Sequence, residues 1–86
     1  MTQVELNVCV VVGKARYFTY SLDLPVAPFK GLVIKLGHMT LTATSVVFCA
    51  NSGRLLCWVD HNRPHVDGVY TCRMLLDNGF KERDER

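Results

Sequence analysis

Eighty-six residues, 49% of them hydrophobic and 21% charged, make one small globular domain and exclude a disordered chain. The net charge of +2 is small, and Lys14, Arg16, Lys30, Lys35, Arg54, Arg63 and Arg73 are scattered, which argues against a nucleic-acid groove. No run approaches the ~18–20 apolar residues that span a bilayer, and Met1–Glu5 lacks the basic start of a secretion signal, so the expected location is cytoplasmic.

The chain opens with Val4, Leu6, Val8, Val10 and Val12, apolar at every second position. That period places them on one face of a strand over about residues 3–12. A second strand follows over about 16–24. A three-residue loop, Gly13-Lys14-Ala15, sets Val10 opposite Phe18, Val8 opposite Tyr20 and Leu6 opposite Leu22, so the two apolar faces coincide. Pro25 and Pro28 make the next segment extended and unpaired, with at most a helical turn near Pro28–Gly31. Leu32–Leu36 is a short third strand, turned by Gly37-His38.

The fourth strand is long, about Met39–Ala50. Its apolar face shifts at Thr44-Ser45, the mark of a β-bulge. Asn51-Ser52-Gly53 is a turn, and Arg54–Asp60 a fifth strand, with Phe48 opposite Leu56 and Val46 opposite Trp58. Both strands are apolar on two faces, with Trp58 expected in the core. Val69–Leu76 alternates as a sixth strand. Lys81–Arg86 carries three charges of each sign and is expected as a frayed tail or a short solvated helix outside a single domain of residues 1–80. The fold class expected is all-β: about six antiparallel strands in a small barrel or rolled sheet, with little helix.

Four cysteines could signal a disulfide scaffold, but Cys9, Cys49, Cys57 and Cys72 all lie within apolar runs and form no Cys-x-x-Cys pair. They are expected as buried free thiols. Cys57, His61 and His65 fall at Cys-x3-His-x3-His with Asp60 and Asp67 nearby, and zinc accepts such donors. That spacing aligns the two histidines only on a helix, so no metal and no cofactor is expected. There is no Gly-x-Ser-x-Gly elbow, phosphate loop or dinucleotide fingerprint, and no enzyme is expected.

Leu24-Pro25-Val26-Ala27-Pro28-Phe29-Lys30-Gly31-Leu32, then Ile34-Lys35-Leu36-Gly37, Val46-Val47-Phe48 and Gly53 resemble a pattern in small bacterial proteins of mobile gene cassettes and phage-like elements. The resemblance covers about residues 22–60 and consists of turn and core positions. It implies a small β-barrel and carries over no functional residue.

Surplus apolar surface points to a small non-enzymatic accessory or adaptor domain that acts through protein–protein contact, a homodimer or a protein partner. The expected interface is the second face of strands four and five: Val47, Cys49, Leu55, Cys57 and Val59. The alternative is a small barrel whose loops bind nucleic acid or a small ligand through Arg16, Tyr17, His61, Arg63 and His65.

Overall fold

The N-terminal period of two is realised as a hairpin. In the computed structural model, which describes residues 2–37, 39–61 and 67–83, β1 is Thr2–Val12 and β2 is Lys14–Leu24. Val8 pairs with Phe18, Leu6 with Tyr20 and Val4 with Leu22, each two residues away from the expected partner. The turn is Gly13 alone, at φ 73°, where the longer loop Gly13–Ala15 was expected. A displacement of two leaves every side chain on its own face, so hydrophobic pattern cannot separate these registers. The left-handed backbone that glycine tolerates selects the tighter one.

Residues 25–32 form no strand, and Leu32 N–H closes a turn on the Phe29 carbonyl at 3.0 Å. β3 (Val33–Leu36), β4 (Met39–Cys49) and β5 (Arg54–His61) then form an antiparallel meander. The expected bulge is present. Ala43 pairs with Val59 and Ser45 with Trp58, which leaves Thr44 as the extra residue. Its hydroxyl donates to the Trp58 carbonyl at 3.2 Å. The β4–β5 turn runs from Ala50 to Gly53 and is closed by Gly53 N–H on the Cys49 carbonyl at 2.8 Å. Phe48 therefore pairs with Leu55, Val47 with Leu56 and Val46 with Cys57, one residue away from the expected register. Unlike a slip of two, a slip of one exchanges faces.

The segment expected as a sixth strand is a helix, α1, Gly68–Asp77. Its buried residues are Thr71, Cys72 and Leu75, a helical spacing, while Tyr70 and Leu76 of the alternating set are exposed. Both ends are capped. Asp67 accepts from Val69 N–H at 3.2 Å. At the other end Gly79 N–H reaches the Leu76 carbonyl at 3.2 Å and Phe80 N–H the Leu75 carbonyl at 3.0 Å, with Gly79 at φ 97°. This is a Schellman stop, completed by the buried pair Leu75 and Phe80. A short apolar run satisfies a period of two and a helical stripe equally, and here the caps decide.

The charged end also departs from expectation. Lys81–Arg83 is not a frayed tail but a strand, β6, paired antiparallel with Tyr17–Thr19. Bidentate pairing of Arg16 with Glu82, at 2.8 and 2.6 Å, fixes it to β2.

The six strands form one sheet in the order β3-β4-β5-β1-β2-β6. All neighbours are antiparallel except β1 and β5, which run parallel through Glu5–Asn7 and Leu56–Trp58. The sheet is mixed and open, not a closed barrel, and the chain is mostly β with one short helix. One face is covered by α1. Val4, Leu6, Val8, Phe18, Met39, Leu41, Ala43, Cys57 and Val59 on that face form one core with Cys72, Leu75 and Phe80. No strand or helix among the described residues packs on the opposite face. No helix among the described residues is long and apolar enough to cross a membrane.

Candidate interaction surface

β3 has four residues and β4 eleven, so β3 can pair with only part of its neighbour. It covers Met39–Thr42, and the contact ends where Ala43 exchanges 2.8 Å bonds with Gly31 N–H and the Leu32 carbonyl. Beyond the Thr44 bulge, β4 pairs with β5 on one side, and no strand among the described residues pairs with the other side of Ser45–Cys49. Backbone N–H and C=O groups alternate between the two sides of a strand, so this edge presents polar main chain ready for a further strand.

The side chains along it are apolar. Val46 and Phe48 share the covered face with their partners Cys57 and Leu55, and Phe48 is 64% exposed. Ser45, Val47 and Cys49 share the open face, with Val47 43% exposed. Ser45–Cys49 contains no charge, proline or glycine.

The interface residues expected from sequence divide between faces. Val47 and Cys49 lie on the open face of the free edge. Cys57 and Val59 are 0% and 1% exposed in the core, and Leu55 is half-buried on the same side. The one-residue slip between β4 and β5 separates them, because residues of like number in the two strands no longer face the same way. Phe48, the most exposed apolar residue of the edge, and its neighbour Val46 are not in the expected set. The signal for them is the uncharged run Ser45–Cys49 read together with a β3 too short to cover it.

The alternative set is not gathered either. Arg16 lies over the Phe18 ring, 5.4 Å from its centroid, and is engaged by Glu82, whose carboxyl that guanidinium holds below the usual carboxylate range. Tyr17 is on the other face of β2, edge-on to Trp58 at 6.3 Å. Trp58 itself is half-buried on the open face and not in the core, another consequence of the slip. His61 ends β5 half-buried, opposite Leu41. Arg63 and His65 lie outside the described residues.

Cys57 and His61 share one face of β5 but are four residues apart, about 13 Å along a strand, with buried Val59 between them. Metal bonds of about 2.0–2.3 Å do not bridge such a separation. Among the described residues no three His, Cys, Asp or Glu side chains gather as a metal site. The thiols also divide. Cys57 and Cys72 are buried, and burial pushes both thiols up, Arg16 partly opposing this at Cys72. Cys9 is exposed and Cys49 half-exposed, against the expectation that all four are buried, because each falls on the open face.

A shallow polar cavity of about 280 Å³ lies where Gln3, Glu5 and Ser21 meet Ser52 and Arg54. Glu5 and Arg54 form an ion pair across it, so its charges are mutually satisfied. Beside it in β1, Asn7 is a buried polar residue, 2% exposed, whose side-chain amide donates to the Glu5 carbonyl at 3.2 Å. Compared with protein-family models, curated proteins and solved structures, the chain matches none.

Proposed function

We propose that this chain is a small non-enzymatic accessory domain that works through protein–protein contact, made by main-chain pairing at the free half of β4. The observation that carries the reading is the five-residue edge Ser45–Cys49: without a partner strand on one side among the described residues, uncharged, and carrying exposed Val47 and Phe48. Strand addition uses such an edge directly. Main-chain hydrogen bonds supply affinity and alternate side chains supply specificity. Here Val47 would read the incoming strand on the open face, and Val46 with Phe48 on the covered face.

A dye-labelled peptide with the sequence of residues 44–50 is a suitable extended probe. Titrated with the protein, its fluorescence anisotropy is expected to rise to a plateau, and the rise is expected to vanish with Val47→Lys, which sets a charge beside the docked strand. A flat titration with the unaltered protein would defeat the reading.

A further inference from the structure

We infer that the occupant of this edge is a second copy of the same chain, its β4 paired antiparallel with the first about a two-fold axis at Val47. The inference rests on reading the β4 edge as a strand-pairing site, and adds the identity of the partner and the register.

Symmetry restricts the choices. Two identical strands that pair antiparallel are related by an axis perpendicular to the sheet, so each face continues across the junction. Facing residues in a ladder point the same way, so residue i must meet a residue of its own face. Within Ser45–Cys49 the faces alternate without interruption, so the axis passes through a residue, not between two. An axis at Val46 would require Thr44, which is the bulged residue, and one at Phe48 would require Ala50, which is in the turn. An axis at Val47 uses all five free residues and neither irregularity. Ser45 then meets the partner's Cys49, Val46 meets the partner's Phe48, and Val47 meets its own copy.

The chemistry agrees with that register. Phe48 is 64% exposed on the face that α1 covers elsewhere, and it would close over the partner's Val46, extending the apolar core through the junction. None of the five facing pairs contains a charge, so self-pairing meets no repulsion. The available length also fits. The slot ends at the Leu32–Ala43 contact on one side and at the Ala50–Gly53 turn on the other, so it admits a strand about as long as itself. The pairing closes as well: a two-fold axis uses the β4 edge of both copies at once, and the joined sheet has a β6 at each far end, with Lys81, Glu82 and Arg83 exposed.

Light scattering over a concentration series tests the pairing. The mass is expected to rise to that of a dimer and stop there. Val47→Lys places two like charges opposite each other and is expected to weaken association at least about tenfold. Val33→Lys, an exposed position on β3, is expected to leave it unchanged. Register is read separately by oxidation in a Cys9→Ser, Cys49→Ser background. With Val47→Cys, facing Cα atoms about 4.5–5.5 Å apart lie within disulfide reach, so a covalent dimer is expected. With Ser45→Cys the two copies lie four steps apart, and none is expected. Equal cross-linking by both variants would overturn the register, and a mass that keeps growing would overturn the closed pair. A monomer at every concentration, with no cross-link, would overturn the second copy as occupant. In that event the labelled peptide separates the two ideas. If it still binds, strand pairing at β4 stands and only the partner's identity falls. If it does not, both fall.

Discussion

On one side of the sheet β6 presents Lys81, Glu82 and Arg83, all exposed, over three residues. On the other, beyond the reach of β3, β4 presents Ser45–Cys49 with no charge over five. Short length and charged side chains are the means by which sheets discourage edge-to-edge association, and β6 has both. The free half of β4 has neither. The difference teaches that exposure of a strand edge is not uniform risk. Pairing about a two-fold axis at the uncharged edge uses that edge up in both copies at once, which is the behaviour of a closed pair and not of a fibre.

The guard depends on what anchors it, and Phe80 is the anchor. It is 3% exposed, stacks on Tyr20 with centroids 5.2 Å apart, and joins α1 to the start of β6. Phe80→Ala removes a large buried ring and is expected to cost about 3–4 kcal/mol of stability, read from urea unfolding. It also frees β6 from β2, so light scattering is expected to show species larger than a dimer as the edge of Tyr17–Thr19 becomes available. Stability within about 1 kcal/mol of the unaltered protein would mean that β6 is held by something other than this ring.

The two edges differ too in how far the sequence discloses them. The apolar runs of the first five strands announce themselves because alternation is local, and the bulge at Thr44-Ser45 is visible as a shift in that alternation. Register is less accessible. The β1–β2 pairing could move by two without disturbing a single face, and the β4–β5 pairing moved by one through a turn only one residue from the expected length. That single step sent Cys57 and Val59 inward and left Val47 and Cys49 outside, so two of the five expected interface residues sit on the accessible edge. The helix was hidden by composition: Tyr70, Cys72, Met74 and Leu76 alternate, yet Asp67 and Gly79 bracket them as caps. That Ser45–Cys49 is free at all depends on strand order, which is a property of the whole chain and is carried by no local pattern.

Gly79 is the second support of the guarded edge. At φ 97° it ends α1 and aims Phe80 at the core. A Cβ there would sit 3.1 Å from Tyr20 Cε1, the ring on which Phe80 stacks. Gly79→Ala is therefore expected to cost about 1–2 kcal/mol from the left-handed backbone, with further loss from crowding of Tyr20. The measurement is the shift in urea midpoint at constant slope. A variant as stable as the parent would show that the helix stop does not need this conformation.

The smallest effect concerns the ion pair between Arg16 and Glu82, which lies partly in solvent and is discounted accordingly. Its value lies in its sign. The carboxyl of Glu82 is held below its ordinary range chiefly by the bond from Arg16, so the charged form is favoured in the fold more than in the unfolded chain. Stability from this pair is therefore present above the unfolded carboxylate value of about 4.3 and is lost as pH falls through the lower folded value. Glu82→Gln is expected to lower the urea midpoint slightly at pH 7, and the gap to the parent is expected to close as the medium is acidified. The alkaline side works through other groups. Burial raises the Cys57 and Cys72 thiols, so their contribution is present below the unfolded thiol value of about 8.5 and fades as pH rises through the folded values. A gap between the two proteins that stays constant from neutral to acid pH would show that Glu82 holds β6 through shape and not through charge, and Lys81 and Arg83 would then be the charges that set the guarded edge apart from the open one.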